Sequence, residues 1–321
     1  MIRIIFMGTP DFALPSLEAI YKSDNKLLAV VTQPDRPRGR GKKLQPSPVK
    51  KWALEKGIPI YQPENIRQDP SFIKEIKKLD PDLIITAAFG QILPKALLDI
   101  PKLGSINVHA SLLPKYRGAS PIQQAIIEGE EKTGVTIMYM DTRMDTGDII
   151  AKEEIKIGKD DTADQVHDKL ALLGGKVLKE VISLFEQGKP KGVPQDDELA
   201  TYCSKINKSM CELNWDNDAQ KLRNLIRGLT PWPGAFTYYK SCRLKLWSTK
   251  EWAGKDIGRA QPGTIVIANA KDGIVVACRN SFLQILELQA EAGRRMTSQE
   301  YLRGNQIDTG SILGRQGSDC D

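Results

Sequence analysis

Residues 104–121 read Gly104-Ser105-Ile106-Asn107-Val108-His109-Ala110-Ser111-Leu112-Leu113-Pro114-Lys115-Tyr116-Arg117-Gly118-Ala119-Ser120-Pro121. The run over 105–108 is short, apolar and of strand type. A strand's two-residue period puts Asn107 and His109 on one face. The chain then leaves the sheet through Ser111-Leu112-Leu113-Pro114 into a basic loop punctuated by Gly118 and Pro121. Ligands of open α/β sheets collect outside the carboxyl ends of strands, so an imidazole and a carboxamide at such an end suit polar chemistry in a pocket. A histidine that merely caps a sheet would read the same way in isolation. The chain holds one other histidine, His167, within a helical pattern.

Working outward, the N-terminal half alternates strand and helix. Strands are predicted over 2–7, 27–32, 58–61, 82–89 and 105–108, with helices over 12–21, 49–56, 70–78, 95–98 and 121–128 between and after them. That order implies an α/β domain built on a mostly parallel open sheet with helices on both faces. The first turn, Gly8-Thr9-Pro10-Asp11, lacks the G-x-G-x-x-G spacing of a dinucleotide site. Phe89-Gly90-Gln91-Ile92-Leu93 is a second strand-end loop placed to line the same crevice as His109.

Two further loops carry charge. Arg36, Arg38, Arg40, Lys42, Lys43, Lys50 and Lys51 fall between residues 36 and 51 with no acidic residue among them. The Pro and Gly content of this stretch predicts no regular element. It is either a solvated charge run or an arm that grips phosphates. After a β-branched strand over 133–140, Asp141-Thr142-Arg143-Met144-Asp145-Thr146-Gly147-Asp148 gathers three carboxylates. It lacks the ligand count and terminal Glu of an EF-hand, which leaves a solvated turn or a carboxylate set against His109. A strand over 149–157 follows, and then a helix over 162–187 whose Gly174-Gly175 pair is a place to bend or break. Its stripe of Val166, Leu170, Leu173, Val177, Val181 and Leu184 is core.

Beyond 188 the periodicity disappears. We read 1–188 as one domain, 189–206 as a linker and 207–321 as a smaller domain. In the last, a helix over 216–227 and about five short strands suggest a small β-barrel of the oligonucleotide-binding type. The chain of 321 residues carries a net charge of +6, compatible with a nucleic-acid partner without demanding one. Its five scattered cysteines form no C-x-x-C pair, so neither a disulfide framework nor a metal site is indicated. No apolar run reaches membrane-spanning length and the N-terminus reads as a strand. The expectation is a cytoplasmic monomer.

The motifs together resemble a family. N-V-H-A-S-L-L-P-K-Y-R-G-A-S-P, followed by D-T-G-D at 145–148, is similar to the formyltransferases that use 10-formyltetrahydrofolate, and F-M-G-T-P-D-F, F-G-Q-I-L-P and L-T-P-W-P extend the likeness over most of the chain. The resemblance implies a Rossmann-like catalytic domain, a C-terminal barrel that helps bind initiator tRNA, and a catalytic set of Asn107, His109 and Asp145. It implies that Ser111, Leu112, Leu113 and Pro114 contact the folate, with Phe89 to Leu93 and Asp141 to Asp145 completing its pocket. It also places Arg36, Arg38, Arg40, Lys42 and Lys43 on initiator methionyl-tRNA, Arg40 foremost. The reaction implied is direct transfer of formyl from 10-formyltetrahydrofolate to the methionyl amine, with no metal. Asn107 and a protonated His109 would donate to the oxyanion, and Asp145 would orient His109. Transfer to a small amine, such as glycinamide ribonucleotide or an amino sugar, would use the same three residues. A non-catalytic RNA-binding protein would leave them without a purpose. Nothing is carried over to the tail after Leu302.

Overall fold

The computed structural model describes residues 1–38, 43–254 and 257–314. They divide into two units, one of Met1–Pro121, Lys132–Lys156 and His167–Ser204, the other of Ile122–Glu131, Ile157–Val166 and the chain from Lys205 onward. The elements up to Ser204 are β1 (Arg3–Gly8), α1 (Leu14–Tyr21), β2 (Lys26–Val31), β3 (Arg36–Arg38), β4 (Lys43–Gln45), α2 (Pro48–Glu55), β5 (Ile60–Tyr61), α3 (Pro70–Lys78), β6 (Leu83–Ala87), α4 (Lys95–Leu98), β7 (Ser105–His109), β8 (Arg117–Gly118), α5 (Pro121–Ile127), β9 (Lys132–Tyr139), β10 (Ile149–Lys156), α6 (Ala163–Glu186) and β11 (Tyr202–Cys203).

The main sheet of the first unit runs β10-β9-β7-β6-β1-β2-β5. β5, β2, β1, β6 and β7 are parallel, while at one edge β9 runs antiparallel to β7 and β10 antiparallel to β9. Every residue of β6 is buried, as a parallel strand covered on both faces requires. The edge strand β10 alternates half-buried and exposed positions toward its end. Helix starts follow the chemistry of capping. The Ser47 hydroxyl accepts from the Lys50 amide at 3.1 Å and the Asp69 carboxylate from the Phe72 amide at 2.9 Å, each with proline at the first helical position. Strand order reverses between β1 and β6, and there Gly8 is obligatory: a Cβ would stand 2.8 Å from the Ala13 methyl and 3.0 Å from the Ala87 carbonyl.

Three expectations change. The basic stretch is not without regular structure, because β3 and β4 form a short antiparallel ribbon with Arg36 opposite Gln45 and Arg38 opposite Lys43. Proline is compatible with an extended edge, where its missing N–H deprives no neighbour of a bond. Arg40 and Lys42 lie outside the described residues, as do the side chains of Arg38 and Lys43. Helix α6 is continuous through Gly174-Gly175, and the glycines serve close packing: a Cβ at 174 would meet Val108 at 3.0 Å and one at 175 the Pro15 carbonyl at 2.7 Å. Of residues 189–206, read as a linker, those up to Ser204 belong to the first unit and are docked on it. β11 pairs with β8, Val193 exchanges two 2.8 Å bonds with Ile149, and the Tyr139 hydroxyl donates to the Pro190 carbonyl at 2.6 Å. Burial first, and then the charge of Asp148, pushes that hydroxyl up to about 12. Such docking through backbone bonds leaves no hydrophobic period for a sequence reader to find.

The second unit holds α7 (Ala219–Leu229), β12 (Phe236–Tyr239), β13 (Cys242–Glu251), β14 (Ile265–Asn269), β15 (Gly273–Ala277), β16 (Phe282–Ala290), β17 (Met296–Thr297) and α8 (Ser298–Gly304). The antiparallel sheet runs β12-β13-β16-β15-β14, with β17 added on β16. Its two edges are bridged by 311–314: the Ile265 amide donates to the Ser311 carbonyl, the Leu313 amide to Gly263 and the Gly314 amide to Tyr238, all within 2.9 Å. This bridge and α8, started by a Thr297–Glu300 capping box, come late in the chain where no strand was expected. Among the described residues no helix is long and apolar enough to cross a membrane.

The bridge carries its own core contact, since Leu313 is 4% exposed within the cluster of Trp215, Leu246 and Ile265. Leu313→Ala is expected to cost about 3 kcal/mol, read as a lower urea midpoint. A shift equivalent to less than about 1 kcal/mol would mean that the edges hold without it.

Candidate active site

The sheet's register sets the first part of the site. Thr86 of β6 stands opposite Asn107 of β7, and its hydroxyl donates to Asn107 Oδ1 at 2.8 Å. With that oxygen engaged, the Nδ2 hydrogens of Asn107 have no acceptor among the described residues. His109, at the end of β7, is 6% exposed. Its Nε2 donates to the Tyr116 carbonyl at 3.0 Å, which leaves Nδ1 as the nitrogen able to gain or lose a proton. Nδ1 faces Asp145 Oδ2 at 3.8 Å, an ion-pair separation too long for a hydrogen bond.

Asp145 is held from several sides. Its Oδ2 accepts from the Gly118 amide at 2.8 Å. Its backbone is in the left-handed region, φ 56°, which few side chains adopt unforced. Gln195 Nε2 donates to the Asp145 carbonyl at 2.9 Å and to the Gly147 carbonyl at 2.8 Å. The hydroxyl of the next residue, Thr146, lies 2.8 Å from both oxygens of Asp141 at the start of the loop. Gly147 packs so closely on Tyr139 that a Cβ would stand 1.9 Å from its carbonyl oxygen.

The turn after His109 is a knot of buried bonds. The Ser111 hydroxyl donates to the Lys115 carbonyl at 2.7 Å, and the Thr136 hydroxyl accepts from the Leu113 amide while donating to the Ser111 carbonyl. Ser111 and Leu113 are therefore spent on the turn, whereas Leu112 and Pro114 are half-buried. In the other strand-end loop the Phe89 carbonyl accepts from Thr9 Oγ1 at 3.0 Å and Gln33 Nε2 at 3.3 Å. Gln91 is likewise occupied, accepting from the Ile66 amide. Phe89 and Leu93 are buried, Gly90 has φ 90°, and Ile92 is exposed. A cavity of about 880 Å³ opens beside the Asp141–Asp148 loop, lined by Leu98, Ser105, Met140, Asp141, Thr146 and Gly147 with Lys95 and Lys191 at its margin. Leu98 and Met140 in that wall also pack with Phe89 and Leu93. The lining does not include Asn107, His109 or Asp145.

The model of the formyl transferase family matches residues 2–182, and that of its C-terminal domain matches residues 205–306. The chain belongs to the formyl transferase family. A methionyl-tRNA formyltransferase from Caldanaerobacter subterraneus subsp. tengcongensis is 49% identical over 97% of this chain and 99% of its own length, and one from Clostridioides difficile is 49% identical over 97% and 100%. Among solved structures, WlaRD, a sugar 3N-formyl transferase, superposes with a TM-score of 0.66 at 22% identity, covering 89% of this chain and 97% of its own. At that identity the likeness is one of fold.

In this formyl transferase the sequence reading brought Asn107, His109 and Asp145 toward one crevice, and the structure sets His109 beside Asp145. It missed Thr86, Thr136, Gln195 and Arg117. The last is 1% exposed. Burial pushes its guanidinium down, but hydrogen bonds to Asp197 and Tyr202 outweigh that and leave it above its ordinary value. The hydrogen bond from Arg117, reinforced by its charge, holds the Asp197 carboxyl below the usual range. The only sequence signal for Arg117 was its place beside Gly118, because Gln195 lies 78 residues away.

Gly118 has little room to change. Its φ is +120° and a Cβ would stand 2.3 Å from the Cys203 carbonyl oxygen, whereas Gly57, at φ +65°, has open space. Gly57→Ala therefore bears backbone strain alone, about 1 kcal/mol, while Gly118→Ala adds a clash and is expected to cost at least twice as much. Thermal melting of the two variants measures this, and equal losses would contradict the tight fit at 118.

Proposed function

We propose that this chain transfers the formyl group of 10-formyltetrahydrofolate to the α-amino group of initiator methionyl-tRNA. The observation that carries the reading is the apposition of Asp145 to Nδ1 of His109, which ends β7 two residues beyond Asn107. The shared name of relatives at 46–49% identity over nearly the whole chain supports the acceptor.

Each residue's role follows from what its partners leave open. Asn107 Nδ2 donates to the formyl oxygen as it gains negative charge, the function of a preorganised donor in an oxyanion site. His109 Nδ1 receives the proton released when the amine bonds to the formyl carbon. Asp145 stabilises the resulting imidazolium, and His109 then gives that proton to N10 of the folate as the carbon–nitrogen bond there breaks. The Tyr116 carbonyl keeps the ring oriented throughout. Proton and charge balance without a covalent enzyme intermediate. The folate's flat ring system suits the cavity beside Asp141, walled by Leu98 and Met140. The loop from Phe89 to Leu93 and the turn from Ser111 to Pro114 offer backbone groups and the Leu112 and Ile92 side chains around it.

The tRNA would be held through its phosphates. Arg36 projects from the β3–β4 ribbon with its side chain 63% exposed, and Arg38, Arg40, Lys42 and Lys43 follow it along the chain. The second unit offers cations over rings. Arg243 lies 3.9 Å from the Phe236 centroid, and Lys245 and Arg295 lie 4.0 and 4.8 Å from that of Trp247, a pairing suited to nucleic acid.

The test offers 10-formyltetrahydrofolate with methionyl-initiator tRNA, glycinamide ribonucleotide or an amino-sugar nucleotide. Formylation of the tRNA alone is expected, and transfer only to a small amine would overturn the acceptor. Asn107→Ala, His109→Ala and Asp145→Ala should each lower kcat roughly 100-fold, about 2.7 kcal/mol, with little change in KM. A loss under about tenfold at any of them would remove that residue from the chemistry.

A further inference from the structure

We infer that Arg117 and Gln195 form a positioning pair that sets where Asp145 stands relative to His109; the inference deepens the proposed reading and rests on it for its kinetic arm. A guanidinium is buried at a cost of several kcal/mol unless its donors are satisfied, and Arg117 is nearly inaccessible. Its Nε and Nη2 both donate to Gln195 Oε1, at 3.1 and 2.9 Å. Nη2 also donates to Asp197 at 2.7 Å, and Nη1 donates to the Tyr202 hydroxyl at 3.2 Å.

Arginine has no acceptor to offer, so the fork dictates which end of the Gln195 amide faces it. Oε1 is turned toward Arg117 and Nε2 away. That orientation aims both Nε2 hydrogens at the carbonyls of Asp145 and Gly147, on either side of Thr146. The two bonds brace the loop where Asp145 sits with a positive φ, a conformation that costs about 1–2 kcal/mol unless surrounding contacts enforce it. Gly118, the residue after Arg117, holds the Asp145 carboxylate by its amide. One dipeptide thus grips Asp145 twice, directly and through Gln195. The Arg117 charge itself is paired with Asp197. Its influence on His109 is therefore one of placement, carried through the neutral amide.

Gln195→Glu separates placement from folding. A carboxylate keeps both acceptors for Arg117 and strengthens that pair, but has no hydrogens for the loop carbonyls and repels them. Thermal stability is expected to be kept, kcat for formyl transfer to fall roughly tenfold with KM for both substrates little changed, and the pH–rate profile to shift. Because the effect runs through Asp145, Gln195→Glu added to Asp145→Ala should lower kcat by less than about twofold further. In a His167→Gln background, which leaves one histidine, the His109 ring signals at fixed pH should move in Gln195→Glu in the direction that Asp145→Asn moves them. Unchanged ring signals would overturn the inference, as would losses that add to those of Asp145→Ala or that merely track a lower melting temperature. If the unsubstituted chain formylates no methionyl-tRNA, the acceptor reading fails and the ring signals still decide the positioning role.

Discussion

One backbone amide organises the candidate active site. The N–H of Gly118 points at Asp145 Oδ2 from 2.8 Å and brings that carboxylate to the imidazole of a different segment. Position 118 can do this only because it lacks a side chain, the Cys203 carbonyl oxygen standing where a Cβ would begin. Around it, the Arg117 amide donates to Thr201 and the Ala119 amide to Cys203, so a stretch from far along the chain fixes the turn that fixes Asp145. A carboxylate on a loop needs such support to hold its angle to a partner.

The sheet supplies the other half. Pairing β7 on β6 with Thr86 opposite Asn107 aims the carboxamide, and the strand's alternation carries His109 to the same side. A slip of one residue would turn both side chains to the opposite face. The burial of β6 and β7 in the parallel part of the sheet makes that slip costly. Rigid strands therefore set the Asn107 carboxamide and the His109 imidazole, and a braced loop sets the Asp145 carboxylate.

Local chemistry was legible in the sequence. The alternation of strands and helices marks the α/β half, and strand-end polar residues and a carboxylate-rich turn are local patterns that point to Asn107, His109 and the 141–148 loop, within which the family resemblance implies Asp145. What stayed hidden depends on contacts between distant segments. Gln195 lies in a stretch with no period and reads as linker, yet its amide bridges Arg117 and the Asp145 loop. The bridge at 311–314 consists of main-chain bonds that any sequence could make. The basic stretch at 36–45 concealed a ribbon because proline and glycine content argues against strands in general but not at an edge. The proposed roles also divide more sharply than the resemblance implies: it makes both Asn107 and His109 oxyanion donors, whereas with His109 Nε2 bonded to the Tyr116 carbonyl we propose Asn107 for that task.

The division of labour between these two side chains is tested most directly by a crystal structure of the chain with a formyl-bearing folate bound. The formyl oxygen is expected at roughly 3 Å from Asn107 Nδ2, with His109 Nε2 still on the Tyr116 carbonyl and Nδ1 still beside Asp145. A formyl oxygen bonded to His109 Nε2, with the Tyr116 contact broken, would contradict it.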